Sequence, residues 1–292
     1  MRDTAADRVF YILSAILLAI LGFVIAYPLY FVVCASISDI FAVMRGETLL
    51  GPKDFSIIGY ERVFSNPNIL NSYRNTIIYT ILGTAINIAL TMSAGYALSL
   101  KFPGRRIFSF LITFTMFFGG GMIPTYFIIK NLGLIDTIWV MILPSACSAY
   151  NLIIARTFMQ SNIPNELYEA AEIDGCSRLK FFFSIVLPLS TVLLAVMVLF
   201  YAVGHWNAYF NAILYLSKRE LYPLQLIVRE ILVLSRVTNE EMKDPESQQV
   251  IAQLAEQIKY SLIIVVSLPV LVLYPFLQKY FVRGIMVGSI KG

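Results

Sequence analysis

The chain has 292 residues, 58% of them apolar and 14% charged, with a mean hydropathy of +0.75 and a formal charge of +4. A water-soluble domain of this length has nearer a quarter of its residues charged, so composition excludes one. The small positive excess on so apolar a chain does not suggest nucleic acid, and part of it is expected to be anchoring charge at the cytoplasmic membrane face. Cys34, Cys147 and Cys176 fall at three different predicted depths, and His205 is the only histidine, so neither a disulfide framework nor a metal site is expected.

Six membrane spans are predicted, at 10–34, 73–98, 107–129, 137–155, 183–204 and 260–277, each an apolar run near the ~20 residues that cross ~30 Å of hydrocarbon. Arg2 and Arg8 precede the first, which is too long for a signal-peptide core and lacks a small-residue cleavage site, so it reads as uncleaved. Residues 35–72 form an outer segment with Gly51-Pro52 and Asn66-Pro67 turn signals. The short turn Lys101-Phe102-Pro103-Gly104-Arg105-Arg106 separates spans two and three.

Gly119, Gly120, Gly121 and Pro124 interrupt the third span. Two readings stand: a kink beside a path, or close helix packing through small residues. After the fifth span, residues 205–259 begin with the cluster His205-Trp206-Asn207-Ala208-Tyr209-Phe210-Asn211 and end in a polar run over 239–257. Residues 248–259 are expected to extend the last span as a helix. The division expected is 1–72, an N-terminal span with its outer loop, and 73–292, the main membrane domain. Lysine and arginine divide evenly between the two faces, but the outer loops are long and count for little. The short 101–106 turn therefore puts both termini in the cytoplasm.

Between the fourth and fifth spans lies a polar, acidic island over 161–188. Asn162 is expected to cap a short helix with Pro164 and Glu166 in its first turn. Gly175 is expected to end it in a left-handed conformation. Ser177 should open a second helix, 178–186, before Pro188 punctuates the chain.

The run Glu169-Ala170-Ala171-Glu172-Ile173-Asp174-Gly175, followed by Leu187-Pro188, resembles the EAA loop of the membrane-spanning permease subunits of ATP-driven bacterial importers. The stretch from Gly119 to Tyr126, the run from Lys130 to Thr137 and the Gly-rich end from Arg283 to Gly292 resemble the carbohydrate-uptake branch of that family. The resemblance runs from about Tyr73 to Gly292 and is nearest to second permeases of oligosaccharide importers, the maltose-type and LplC-type subunits. Where the family most often has alanine after the loop glycine, this chain has Cys176.

The resemblance implies an all-α, polytopic type I ABC importer permease fold in the bacterial cell membrane. It implies a second permease subunit forming a heterodimer, two cytoplasmic ATPases, an extracellular solute-binding protein and a carbohydrate substrate, an oligosaccharide first, with a polyol or a sugar phosphate as the alternative within the family. It also implies that Glu169, Ala170, Ala171, Asp174, Gly175 and Pro188 couple the chain to an ATPase, and that the C-terminal tail reaches toward it. No cofactor is expected on this chain; ATP and magnesium belong to the ATPase partner.

The residues themselves agree in kind. No Lys, Arg, Asp or Glu stands near the centre of a predicted span, which argues against an ion-coupled carrier and fits a neutral solute driven from elsewhere. No phosphate-binding P-loop is present, and no nucleophile, acid–base or metal set falls at membrane depth, so no enzyme is expected. Trp206, Asn207, Tyr209 and Asn211 could serve a sugar, rings on its C–H faces and amides on its hydroxyls, or could simply form an interfacial aromatic belt. Asn87, Tyr150 and Asn151 are polar groups within or near spans that could line a path or bond neighbouring helices.

Overall fold

A computed structural model describes residues 5–237, 256, 258–276 and 278. Among these the regular structure is helical, with one isolated bridge between Ser38 and Phe55. The described residues fall into two compact units, one within Met1–Pro67 and Val228–Leu268, the other within Asn68–Ile227 and Pro269–Gly292.

In the first unit, α1 (Ala5–Ser36) is followed by the short α2 (Ile40–Met44) and α3 (Ile58–Ser65). The most apolar window of α1 has no buried residue in this chain, as suits a helix whose solvent is lipid. Asp39 starts α2 by accepting the Phe41 N–H at 2.9 Å. Ala35, Ile40 and Val43 form a small core with Phe31 and Tyr260, whose rings meet edge-on at 5.9 Å. Ser261 donates to the Ser36 carbonyl at 3.2 Å, tying α14 (Ile258–Phe276) to the end of α1.

The second unit is built on α4 (Pro67–Ser99), with Pro67 at the position where a missing N–H costs nothing. Its buried side carries small and polar residues, Ser72, Thr76, Gly83, Thr84, Asn87, Thr91 and Gly95, beside the larger Ile69, Tyr79, Met92, Tyr96 and Leu98. So many small and polar groups on the inner side depart from the pattern of a soluble helix. Lipid takes the apolar side, and small residues let neighbouring backbones approach. At Gly95 a Cβ would lie 2.9 Å from that of Ala155, so α4 and α7 (Ala149–Asn162) meet there almost backbone to backbone.

Among the described residues three helices, α1, α4 and α14, are long and apolar enough to cross alone, and three bent pairs bring the total to six if each is one span. The first pair, α5 (Arg105–Phe117) and α6 (Met122–Asn131), bends by 115°. Gly121 caps α6 at φ 83°, ψ 173°, a region that side chains exclude. A Cβ on Gly119 or Gly121 would meet nothing within 4 Å, so within this chain these glycines serve the bend rather than close packing. The second pair joins 3-10 turns at Ile138–Met141 and Leu143–Ser145 to α7, with a 50° bend.

The third pair corrects the expected punctuation at Pro188. Helix continues through it: α8 (Asn165–Ile173) is followed by α9 (Arg178–Phe181), a π turn (Phe182–Val186) and α10 (Leu187–Leu189). Proline lacks an N–H and crowds the carbonyl four residues back. The π turn just before it widens the coil, with Leu187 N–H reaching Phe182 O. The break falls at Ser190, and α11 (Thr191–Trp206) leaves at 81°. There the Thr191 hydroxyl donates to the Pro188 carbonyl at 2.6 Å.

Two further helices follow, α12 (Phe210–Tyr215) and α13 (Leu224–Val237). The expected helix over 248–259 and the tail from Arg283 lie largely or wholly outside the described residues.

Candidate functional site

Two places carry the polar chemistry, an elbow at one end of the second unit and a cavity further up α4. The elbow is the acidic island. Asn162 does not cap it as expected. It is the last residue of α7 and donates back to the Phe158 carbonyl, while Pro164 precedes α8 with no side-chain cap. The other end follows the sequence. Gly175 sits at φ +66°, its N–H reaching Glu172 O at 3.1 Å, and Cys176 N–H reaches Ala171 O at 2.8 Å. These two bonds are the Schellman pair, which requires a left-handed residue where Gly175 stands. Cys176 then packs on the same core as Ala171, so a small apolar residue in place of alanine fits there. Ser177 accepts the Lys180 N–H at 3.3 Å and starts α9.

The motif residues part to two sides. Glu169, Ala170, Asp174, Gly175 and Pro188 are exposed, whereas Ala171 is buried. Ile173 and Leu179 stand out beside them, 86% and 72% exposed. On the inner side Tyr168 lies 4.5 Å from the Phe181 ring and stacks on Tyr96 of α4 at 6.5 Å, and Tyr96 meets Phe182 at 4.9 Å. Tyr96 also donates to the Arg178 carbonyl at 3.3 Å. Burial pushes the Tyr168 phenol up, so it stays a neutral hydroxyl. The elbow is thus bolted by aromatic rings to the end of α4, with an exposed face of mixed acid and apolar residues.

The cavity, about 490 Å³, is walled by α4, the 141–151 stretch and α11 with the residues after it. Of the sequence candidates it gathers Asn87, Asn151, Asn207, Tyr209 and Asn211. It does not gather Tyr150, which is 59% exposed elsewhere, or Trp206. Trp206 is buried edge-on to Tyr73 at 5.7 Å and lines an apolar groove instead.

Asn87 is the organiser. Its Nδ2 donates to the Ser145 carbonyl at 2.7 Å, which fixes its Oδ1 as the acceptor facing His205 Nε2 at 3.1 Å. The His205 ring lies against Gly83, where a Cβ would collide with it. One turn along, Thr91 and Tyr201 hydroxyls meet at 2.6 Å, and Tyr201 also lines the cavity. Sequence reading missed His205, Tyr201, Ser145 and Ser148 as wall residues. The signal available was the glycine four residues before Asn87 on α4, since room for an imidazole needs one helix face to be bare.

The segment after α12 is held by side chains of α4. Asn75 donates to the carbonyls of Glu220 and Tyr222, Tyr79 to Leu221 O at 2.8 Å, and Thr76 accepts the Leu224 N–H at 2.8 Å. Asp136, left-handed at φ +57°, accepts the Ser217 and Lys218 N–H groups at 2.5 and 3.1 Å. These two bonds hold its carboxyl below the usual carboxylate range.

In the second unit, α4 and two of the bent pairs thus wall a polar cavity, and the elbow packs on the same α4. The family model for the binding-protein-dependent transport system inner membrane component matches residues 1–287. This chain belongs to that family. It is a permease subunit of an ABC importer, a class that works with an ATPase and a solute-binding protein. It is 39% identical to Protein LplC of Bacillus subtilis (strain 168), over 100% of this chain and 98% of the other. It is 40% identical to that organism's polygalacturonan/rhamnogalacturonan transport system permease protein YtcP, over 98% and 99%. In solved structures it is similar to a chain of a bacterial ABC transporter involved in the import of the acidic polysaccharide alginate. There the TM-score is 0.87 at 33% identity, covering 96% of this chain and 99% of that one.

Proposed function

We propose that this permease carries a carbohydrate, an oligosaccharide or a fragment of a polysaccharide, and forms half of the path with a second, different permease subunit. The observation that carries this is the cavity wall. Asn151 and Asn211 offer amide donors and acceptors, Asn87 and Asn207 offer the second donor hydrogen and lone pair that their bonds within the chain leave over, Tyr209 and Phe210 offer ring faces, and among the described residues no lysine, arginine or carboxylate lines it. Hydroxyl groups in matched pairs, with C–H faces between, are what such a wall recognises. The names of YtcP and of the alginate transporter point the same way. The uncharged wall favours recognition of hydroxyls in this half, whatever charge the sugar bears elsewhere.

In this reading the termini and the elbow are cytoplasmic. Two ATPase subunits, which bind ATP and magnesium, lie below, and each permease elbow sits in a groove on one of them. Glu169 and Asp174 present charge to the groove, Ile173 and Leu179 fill it, and Gly175 supplies the turn. Ala171, facing inward, supports the helix from behind. ATP-driven closure of the ATPases tilts the elbow, and the aromatic bolt at Tyr96 and Tyr168 carries the tilt into α4, shifting the balance between two bundle states. The test is a gentle detergent pull-down of the tagged chain, followed by sugar-stimulated ATPase assay of the recovered complex in liposomes with its binding protein. A second permease, a P-loop ATPase and stimulation by a saccharide are expected. Recovery of the chain alone, with a control importer intact, would refute the reading.

A further inference from the structure

A second cavity, about 550 Å³, lies between the elbow and the end of α4. Lys101 and Arg105 line it from the α4–α5 turn, Arg178 from α9, and Glu172 is the one carboxylate on its wall. Among the described residues, no ion pair within 4 Å neutralises any of these three cations. One side of the cavity is closed by the parallel rings of Tyr96 and Tyr168, inclined by only 10°. A pocket with three cations against one carboxylate holds an excess positive potential in a partly enclosed place, where screening by salt is weak. Arginine there matches an oxyanion through two parallel N–H bonds.

The surroundings favour one source of that anion. Arg105 opens α5, a helix with no buried residue, and Ile107, Phe108, Phe110 and Leu111 lie exposed directly beyond it. Cations at a helix start and an apolar face running away from them match a headgroup with its acyl chains. We propose that this cavity binds the phosphate of an anionic glycerophospholipid from the adjoining leaflet. The headgroup bridges the α4–α5 turn to α9 and so restrains the elbow. The site stands on the cavity alone; the restraint rests on the coupling role proposed above.

The test uses the whole importer, purified in mild detergent with added phosphatidylglycerol or phosphatidylcholine, and native mass spectrometry of the lipid retained. Each cation near an anionic headgroup is worth about a fivefold change in occupancy. Arg105→Gln and Arg178→Gln should therefore each lower phosphatidylglycerol retention by about that factor. Lys101→Arg should keep it. Arg106→Gln, an exposed cation of the same turn that does not line the cavity, should stay near wild type. Monodisperse elution of each variant secures the comparison.

An equal loss with Arg106→Gln, or equal retention of phosphatidylcholine, would overturn the site and leave only diffuse anchoring charge. In a second arm, lipid-stripped importer is titrated with inorganic phosphate and followed by phosphorus NMR. Saturable binding that Arg105→Gln abolishes, without lipid retention, would overturn the lipid assignment and give the site to a soluble phosphate compound. Sugar-stimulated ATPase is read alongside. Lipid retention that follows the variants while ATPase coupling does not would keep the site and reject only the coupling role.

Discussion

Gly175 gives the sharpest test of the elbow, because its strain can be separated from packing. Its φ of +66° is left-handed, and a Cβ there would meet nothing within 4 Å. Any substitution is therefore resisted by backbone conformation alone. A left-handed L-residue costs about 1–2 kcal/mol, with asparagine the mildest and β-branched residues the worst. That range lowers the population of the bent elbow by about 5- to 30-fold relative to a relaxed alternative. The expected order of coupled activity is glycine, then asparagine, then alanine, then valine. Cys176→Ala, which keeps a small residue on the Ala171 core, should remain near wild type. The assay is sugar-stimulated ATPase in liposomes, with ATPase recovery in a pull-down to separate assembly from coupling. Valine performing as well as asparagine would refute the claim that the turn must be left-handed.

Other perturbations probe the remaining parts. Glu169→Lys should leave the protein inserted, since Glu169 is exposed, yet break the link between ATP hydrolysis and uptake; uptake at the normal rate would remove it from the coupling face. Gly83→Ala should push the His205 ring off Asn87 and lower stability by about 1–3 kcal/mol, as overpacking does. His205→Ala added to it should restore part of the melting temperature in detergent, and absence of rescue would argue against the collision. Asp136→Ala should release the Ser217 and Lys218 amides, visible as faster hydrogen exchange there, while Asp136→Asn, which tolerates the same backbone and still accepts, should do less. The Asp136 carboxylate is depressed in the fold, so its contribution is complete above the ordinary carboxylate range and is lost as pH falls through its folded value. The protection factor at Ser217, which is exchange corrected for its intrinsic base catalysis, should therefore not vary between about pH 6 and 8 through this group; a strong dependence of that factor would point to another titrating residue.

Sequence made the helical membrane class, the Gly175 turn and the Ser177 cap legible, because each depends on local chemistry. The bends were less so. Glycines at 119–121 announced an interruption, but a 115° turn needs the observed Gly121 dihedrals, which composition does not specify. Pro188 was read as a stop, yet the break lies at Ser190, because a π turn absorbs a proline when tertiary packing holds Phe182 and Val186 in place. Asn162 had the chemistry of a cap and was placed inside the preceding helix instead. The cavity was half legible. Asparagines within an apolar stretch call for partners, but the partner of Asn87, His205, lies 118 residues away, and periodicity carries no signal of it.

The elbow and the cavity share two helices. Met92 and Tyr96 of α4, with Leu193, Met197 and Tyr201 of α11, are buried in the core that holds Ala171, Phe181 and Phe182 of the elbow. Tyr201 leaves that core with its hydroxyl on Thr91 and its side on the cavity, and Asn87 lies one turn beyond Thr91. A movement of the elbow cannot be absorbed within a close-packed core, because such interiors shift between discrete packings rather than flex. It must therefore pass to α4 and α11 or be resisted by them. Asn87 sits on one of these helices and His205 on the other. Their 3.1 Å hydrogen bond is consequently a gauge of the relative position of the two helices that wall the cavity.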